Sequence, residues 1–182
     1  MTEYIVLLRG IIVGGHRKVP MAELRTLLAK IGFENVRTYI QSGNIILTSQ
    51  DDNHLEVVSK IKHAIHQHFG FEVSVIAKTR DELLRIFEAC PFSEVQKKAS
   101  YFIILDKIPD GDRVEEVIQR SYDNEMFQII NDAVYFYSEA GYGKSKFNMN
   151  LFEKKLQVNA TTRNYNTMVK LLAMSDENNK DQ

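Results

Sequence analysis

The sequence predicts an α+β protein made of two tandem ferredoxin-like (βαββαβ) halves with antiparallel sheets, plus a linking helix and a C-terminal helix. Two observations lead to this prediction. The order strand, helix, hairpin, helix, strand is indicated over residues 2–78, and the same order returns over residues 99–160. Each half also carries a hairpin turn signal between two β-rich runs, at Ser42-Gly43 and at Asn131-Asp132. The two halves share this order of elements but not their residues.

The first half starts with YIVLLR, residues 4–9, a nearly continuous apolar run that is typical of a central strand. A glycine-containing loop follows, and Pro20 then opens a helix, where its missing N–H costs nothing. Gly32 ends this helix in a left-handed cap. After the hairpin, the half closes with an amphipathic helix and a strand, predicted over residues 54–69 and 71–77.

A capping box of Thr79 and Glu82 starts the linking helix, which runs to Ala89. The second half then repeats the first pattern, and Thr161 or Thr162 caps a final helix over residues 163–174. The strands of the second half are predicted at 101–106, 126–130, 133–137 and 157–160, and its helices at 112–119 and 144–156. The predicted domain boundaries are 1–78 and 99–160 for the two halves, 79–98 for the linking helix and loop, 161–175 for the C-terminal helix and 176–182 for a polar tail.

The cysteine count and the N-terminal sequence indicate the cellular compartment of the protein. The chain has 182 residues and a single cysteine, Cys90, so no internal disulfide can form. The apolar run near the N-terminus, residues 5–8, is too short for a signal peptide or a membrane span. We therefore predict a soluble, cytoplasmic protein that does not partner a membrane.

The charge is unevenly distributed although the formal net charge is only −1. Residues 1–50 have 6 Lys and Arg against 3 Asp and Glu, residues 51–140 have 10 against 17, and residues 141–174 have 6 against 1. A near-neutral total argues against indiscriminate binding of polyanions. Two basic segments nevertheless flank an acidic middle, and folding that joins them would create a local positive site.

Two loops have the composition of anion sites. RGIIVGGHRKVP, residues 9–20, is a glycine-containing loop before a helix, where backbone N–H groups favour an anion. The alternative is a flexible loop that needs glycine only for its backbone angles. Residues 138–147 contain Gly143-Lys144-Ser145, but Ser138 stands where a phosphate-loop motif needs glycine, and the preceding strand belongs to a hairpin. We predict no phosphate-loop NTPase, only a helix start suited to an anion.

Polar residues concentrate at two further points. Thr161, Thr162, Arg163 and Asn164 surround a predicted helix start, and their number exceeds what capping requires. Gln41, Ser42 and Asn44 end the first hairpin. Because the first and third strands pair antiparallel at the centre of a ferredoxin-like sheet, Arg9 and Asn44 should meet beside the 10–19 loop. The alternative is that Arg9 and Arg37 pair with surface carboxylates while Gln41 and Asn44 close the hairpin.

Other features do not indicate a site. His63, His66 and His68 share one predicted helix but do not fall into one cluster, so we predict no metal and no cofactor. Cys90 has no nearby histidine, and a catalytic role is not indicated. The glycine-flanked aromatic pattern of RNA-binding sheets is absent, although Tyr101, Tyr135 and Tyr137 could face outward.

The chain resembles a known family in three segments: LLRGIIVGG…KVPMAELR…VRTYIQSGN near the N-terminus, GYGKSK at 141–146 and ATTRNYNT at 160–167. It is similar there to the bacterial domain of unknown function 1697 family. The resemblance implies an α+β fold with ferredoxin-like parts and supplies no established reaction. The family usually has Asn where this chain has Ile12, and Trp where it has Tyr165.

Function is predicted as binding of a small anionic ligand that could carry phosphate, and whether a reaction is catalysed stays open because no acid/base pair or nucleophile–base spacing is visible. The alternatives are a nucleic-acid binding module and a protein-interaction module without catalysis; the oligomeric state is undetermined. The predicted ligand-binding residues are Arg9, Gly10, Gly14, Gly15, Lys18, Arg37, Gln41, Ser42, Asn44, Lys144, Ser145, Thr161, Thr162, Arg163 and Asn164.

Overall fold

The computed structural model describes residues 1–11, 15–119, 125–142 and 147–177. The chain divides into two compact units, Met1–Leu83 with Leu171–Gln182, and Leu84–Lys170. Elements of the first half are β1 (Thr2–Arg9), α1 (Met21–Lys30), β2 (Glu34–Tyr39), β3 (Asn44–Ser49), α2 (His54–Phe69) and β4 (Ser74–Lys78). The elements that follow are α3 (Arg80–Glu88), α4 (Glu94–Lys98), β5 (Tyr101–Leu105), α5 (Gly111–Ile118), β6 (Glu125–Ile130), β7 (Ala133–Ser138), α6 (Met149–Leu156), β8 (Ala160–Asn164) and α7 (Tyr165–Glu177).

Each unit contains one four-stranded antiparallel sheet. The strand orders are β2-β3-β1-β4 and β6-β7-β5-β8, so the first and third strands of each half pair at the centre. With a helix after the first strand and another after the third, this is the ferredoxin-like arrangement in both halves. The predicted α+β class and the two ferredoxin-like halves are confirmed.

One hydrophobic cluster of the first unit lies on the helix-covered face of its sheet. Tyr4, Val6 and Leu8 alternate along β1 and point to the same side, where α1 and α2 cover them with Leu24, Leu28, Val57, Ile61 and Ile65. The opposite face of the same strands carries Glu3 and Arg9 at its ends. Alternation therefore places the polar ends of β1 on the face away from the two helices.

The core of the second unit is rich in aromatic side chains. Ile103 and Leu105 of β5 pack with Phe136, and the rings of Phe147 and Phe152 lie 4.3 Å apart between centroids. Aromatic pairs of this kind add stabilisation beyond the area they bury. The covering helices here are α5 and α6. Among the described residues, no helix combines the length and the apolar composition needed to cross a membrane.

The last strand and helix differ from the prediction. The strand predicted at 157–160 is β8, which runs over residues 160–164 and pairs Thr162 with Ile103 of β5. Neither Thr161 nor Thr162 caps a helix. The Asn164 Oδ1 accepts from the Thr167 N–H at 2.9 Å, and α7 begins at Tyr165. β-Branched threonines fit a pleated sheet, and pairing with a buried central strand outweighs their capping tendency.

Several boundaries also shift. The predicted two-residue turn at Ser42-Gly43 is a four-residue connection over 40–43, and strand 71–77 is β4 over 74–78. The described part of the helix predicted from Lys144 starts at Met149, capped by Asn148. The short helix α4 was not predicted, although the Ser93-x-x-Gln96 box that starts it is visible in the sequence. The Thr79–Glu82 capping box is confirmed by both of its hydrogen bonds.

Candidate functional site

The end of β1 and the start of β3 lie side by side, as predicted. Leu7 pairs with Asn44, and the Leu8 N–H donates to the Gly43 carbonyl at 2.9 Å. Arg9 follows two residues later and pairs on its other side with Ser74 of β4. The loop that leaves β1 therefore starts directly beside the first hairpin.

Gly43 permits an unusually close approach at this point. Its φ is +78°, and a Cβ built there would lie 2.7 Å from Leu8 Cβ and 2.9 Å from Ile11 Cδ1. Any other residue would need to displace these side chains while adopting a left-handed backbone. The missing side chain thus lets the segment 9–11 contact the hairpin end.

Asn44 closes the hairpin from inside. Its side chain is fully buried, and its Nδ2 donates to the Tyr39 carbonyl at 3.1 Å and to Ser42 Oγ at 2.8 Å. These bonds fix the shape of the connection over residues 40–43, as expected from the alternative in which Asn44 closes the hairpin. Gln41 and Ser42 remain exposed at the tip.

Ile40 starts the same connection in a strained conformation. Its φ is +49°, a left-handed value that β-branched residues rarely adopt, and its side chain is 53% exposed. Neither local preference nor burial explains an isoleucine at this position. Strained backbone of this kind is concentrated at functional loops.

The described part of the 10–19 loop places a second arginine, Arg17, beside the residues that precede β4. Arg17 Nη2 donates to the Glu72 carbonyl at 2.8 Å, and its guanidinium lies 5.5 Å from the Phe71 ring centroid. Its Nη1 would lie 3.6 Å from a Cβ on Gly10, so Arg17 folds back onto the start of the loop. Arg17 was not among the predicted site residues, although it stands beside Lys18 in a segment rich in positive charge.

Three predicted site residues lie in the described parts of this loop. Gly10 and Gly15 have φ values of +82° and +102°, and Lys18 is exposed. Predicted residue Gly14, like Ile12, lies outside the described residues.

Arg37 makes internal contacts. Its Nη2 lies 3.3 Å from Glu3 Oε2, and its Nη1 donates to the Met174 carbonyl at 2.9 Å, while its buried Nε has no hydrogen-bond partner in the described part of the chain. The Met174 carbonyl belongs to the last turn of α7, where the helix dipole favours a cation. These contacts tie β2 to β1 and to the end of α7.

The second unit holds four further predicted residues on β8. Arg163 is 8% exposed, and its Nη1 donates to Thr161 Oγ1 at 2.7 Å and to the Thr162 carbonyl at 2.9 Å. Burial lowers the pKa of Arg163 to about 10, so the guanidinium stays charged at neutral pH. The hydroxyl of Thr162 contacts Met149 Sδ at 3.5 Å, and Asn164 caps α7. Lys144 and Ser145 lie outside the described residues.

A polar cluster at the other end of the first sheet was not predicted. His54 Nε2 and Glu82 Oε2 are 2.8 Å apart, and the Tyr4 ring meets His54 edge-on at 5.1 Å between centroids. Burial, and then Asp52 and Glu82, raises the pKa of Tyr4. Burial also acts to raise the pKa of Glu82, but the Thr79 N–H and His54 together hold it below its ordinary value. No sequence spacing relates these residues, because they meet only through the sheet.

The fold and these segments define a class: an α+β protein with two ferredoxin-like halves and a basic, glycine-containing loop that starts beside its first hairpin. The family model described as "Protein of unknown function (DUF1697)" matches residues 1–135, and the chain belongs to that family, as the resemblance implied.

A solved structure shares this fold. The chain is similar to the one titled "The structure of conserved bacterial protein SP0830 from Streptococcus pneumoniae", with 28% identity, a TM-score of 0.76, and coverage of 97% of this chain and 99% of that chain. Among curated proteins there is no match.

Proposed function

We propose that the chain binds a small anionic ligand between the loop that leaves β1 and the tip of the first hairpin; segments 9–11, 15–18 and 41–43 are called the corner below. The observation that supports the proposal is the close approach of Leu8 and Ile11 to Gly43, since the basic loop starts at this point beside the hairpin tip. We also propose a cytoplasmic location, since a single cysteine excludes an internal disulfide.

Charge supports an anion at the corner. Its three segments contain Arg9, Arg17, Lys18 and His16 and no carboxylate. Arginine side chains favour phosphate and carboxylate groups, which their planar donors can bind in pairs. Arg17 already uses one nitrogen on the Glu72 carbonyl, which fixes the direction of its guanidinium.

Exposed polar groups supply directional contacts. Gln41 and Ser42 stand exposed at the tip of the hairpin, and the left-handed Gly10 and Gly15 turn the backbone of the loop beside it. Turns of this kind direct backbone N–H groups toward an anion. The strain and exposure of Ile40 at the same tip are consistent with a ligand contact rather than with folding alone.

The other predicted residues do not form the main ligand contacts in this proposal. Asn44 shapes the hairpin from inside, and Arg37 is held by Glu3 and Met174, so neither is the group on which binding depends. In the second unit, the charged and buried Arg163 with Thr161 forms a separate predicted anion contact on β8.

A thermal-shift screen tests the proposal. The panel contains inorganic phosphate, nucleotides, sugar phosphates, dicarboxylates and short RNA of several lengths. A ligand present at ten times its Kd stabilises by about 1.4 kcal/mol, which raises Tm by about 3–6 °C for a chain of this size.

Two variants test whether the thermal shift depends on the basic residues of the corner or only on the total positive charge. The double variant Arg17→Ala/Lys18→Ala should lose the shift, whereas Lys107→Ala, which removes an exposed lysine of the second unit, should retain it. Binding that grows with RNA length and vanishes at high salt would instead indicate a nucleic-acid module. A shift that survives in the double variant would refute the corner as the site.

A further inference from the structure

Two grooves flank the outer side of α2 in the first unit. One groove, of about 470 Å³, lies between α1 and α2, and its apolar floor is formed by Leu27, Ile31 and Ala64. The other, of about 410 Å³, lies on the opposite side of α2 and is lined by Leu55, Val58 and Val73. His63 lines both grooves and forms the ridge between them.

The rims of the grooves are basic. Lys30 and Lys60 border the first groove, and Lys62 borders the second. All three lysines are exposed. Lys60 lies 5.1 Å from the Phe33 ring centroid and 3.9 Å from Asp51 Oδ2, so one of the three charges is partly offset.

Three histidines also lie along this surface. His63 and His66 are exposed on the ridge, and His68 is paired with Glu23 Oε1 at 2.6 Å. Two acidic residues are close in the fold or the sequence: Glu72 lines the second groove, and Glu56 lies two turns before His63 on α2.

We propose that this surface docks an acidic, amphipathic segment of a partner protein, with one apolar side chain in each groove and carboxylates over the ridge. The basic rims select negative charge, and the apolar floors select aliphatic side chains. A nucleic acid fits less well, because the apolar residues that form both floors are aliphatic.

The width of α2 sets the spacing of the two anchors. A helix with its side chains is about 10 Å across. A peptide in the polyproline II conformation advances about 3.1 Å per residue with three residues per turn, so apolar residues three positions apart lie on the same side and span the ridge. The expected motif is therefore an apolar residue, two acidic residues and a second apolar residue.

Fluorescence anisotropy with a fluorescein-labelled peptide containing Leu-Glu-Glu-Leu tests this proposal on the full chain. Two control peptides replace both leucines by serine or both glutamates by lysine. We expect each replacement to weaken binding about tenfold or more.

Protein variants locate the surface. Lys30→Glu/Lys62→Glu should weaken binding at least tenfold. The corner variant Lys18→Ala, at a residue that lines neither groove, should bind the peptide like wild type, which separates this proposal from the proposed anion site. Failure of the Leu-Glu-Glu-Leu peptide to bind, equal binding of all three peptides, or tighter binding of single-stranded RNA of equal charge would overturn the proposal.

Discussion

Arg37 Nη1 donates to the main-chain carbonyl of Met174 at 2.9 Å, and so joins the second strand of the first sheet to the last turn of α7. The two residues are 137 positions apart, and the same guanidinium pairs with Glu3 at the start of β1. An arginine predicted as a ligand contact thus also holds three elements of the first unit together.

Replacing Arg37 by alanine should therefore destabilise the first unit. We expect a loss of about 1–2 kcal/mol, since hydrogen bonds to charged groups are strong but this pair is partly exposed. Urea unfolding at pH 7 measures the change. Lys107→Ala, an exposed substitution, should stay within about 0.5 kcal/mol of wild type. An Arg37→Ala variant as stable as wild type would show that these contacts add nothing.

Gly43→Ala should be among the costly single substitutions in the first unit. The new Cβ would meet Leu8 Cβ at 2.7 Å in a left-handed backbone, and we expect a loss of about 2–4 kcal/mol. Gly70 is the matched control, because its φ is also positive, at +82°, while a Cβ there meets nothing within 4 Å. Gly70→Ala should cost about 1–2 kcal/mol. Equal losses in the two variants would show that the β1 loop does not pack on the hairpin.

Ile40→Asn should stabilise the protein. Asparagine tolerates the left-handed φ of +49° better than isoleucine, and the exposed isoleucine side chain contributes little packing. We expect a gain of about 1 kcal/mol, or a rise in Tm of about 2–4 °C. The same change at Ile108, which is 66% exposed and has no positive φ, should leave Tm nearly unchanged. A fall in Tm for Ile40→Asn would mean that the side chain has a packing role.

Removing the hydroxyl group should have different effects on protein stability at two buried tyrosines. Tyr4 Oη is buried without a hydrogen-bond partner in the described residues, whereas Tyr135 Oη donates to the Ile86 carbonyl at 2.6 Å. Tyr4→Phe should be neutral or stabilising by up to about 1 kcal/mol, and Tyr135→Phe should cost about 1–2 kcal/mol. Thermal unfolding of both variants makes the comparison. A destabilised Tyr4→Phe would reveal a partner, such as a bound water, for its hydroxyl.

The sequence predicts the fold well because the fold depends on patterns that are local. Apolar runs, the Thr79–Glu82 box and the Asn131-Asp132 turn each lie within a few residues, and their order determines the topology. The last strand was misplaced because threonines serve both as caps and as strand residues, and only pairing with β5 decides between them.

The candidate site was predictable in part. The meeting of the β1 and β3 ends follows from antiparallel pairing, and the register shows it. The roles of Arg37 and Arg17 do not follow, since their partners, Met174 and the Glu72 carbonyl, lie 137 and 55 residues away. A charge count identifies where basic residues concentrate, but only the folded chain shows which of them already have partners.

The most direct test of anion binding at the corner is a titration of ¹⁵N-labelled protein with inorganic phosphate, and with the anion that raises Tm most, followed through backbone amide shifts. Glycine amides make good reporters because the corner contains Gly10, Gly15 and Gly43, whereas Gly70 and Gly111 lie elsewhere in the described chain. The proposal predicts saturable shifts at the three corner glycines and at Ser42, with none at Gly70 or Gly111. Shifts that never saturate, or that appear equally at all five glycines, would contradict it.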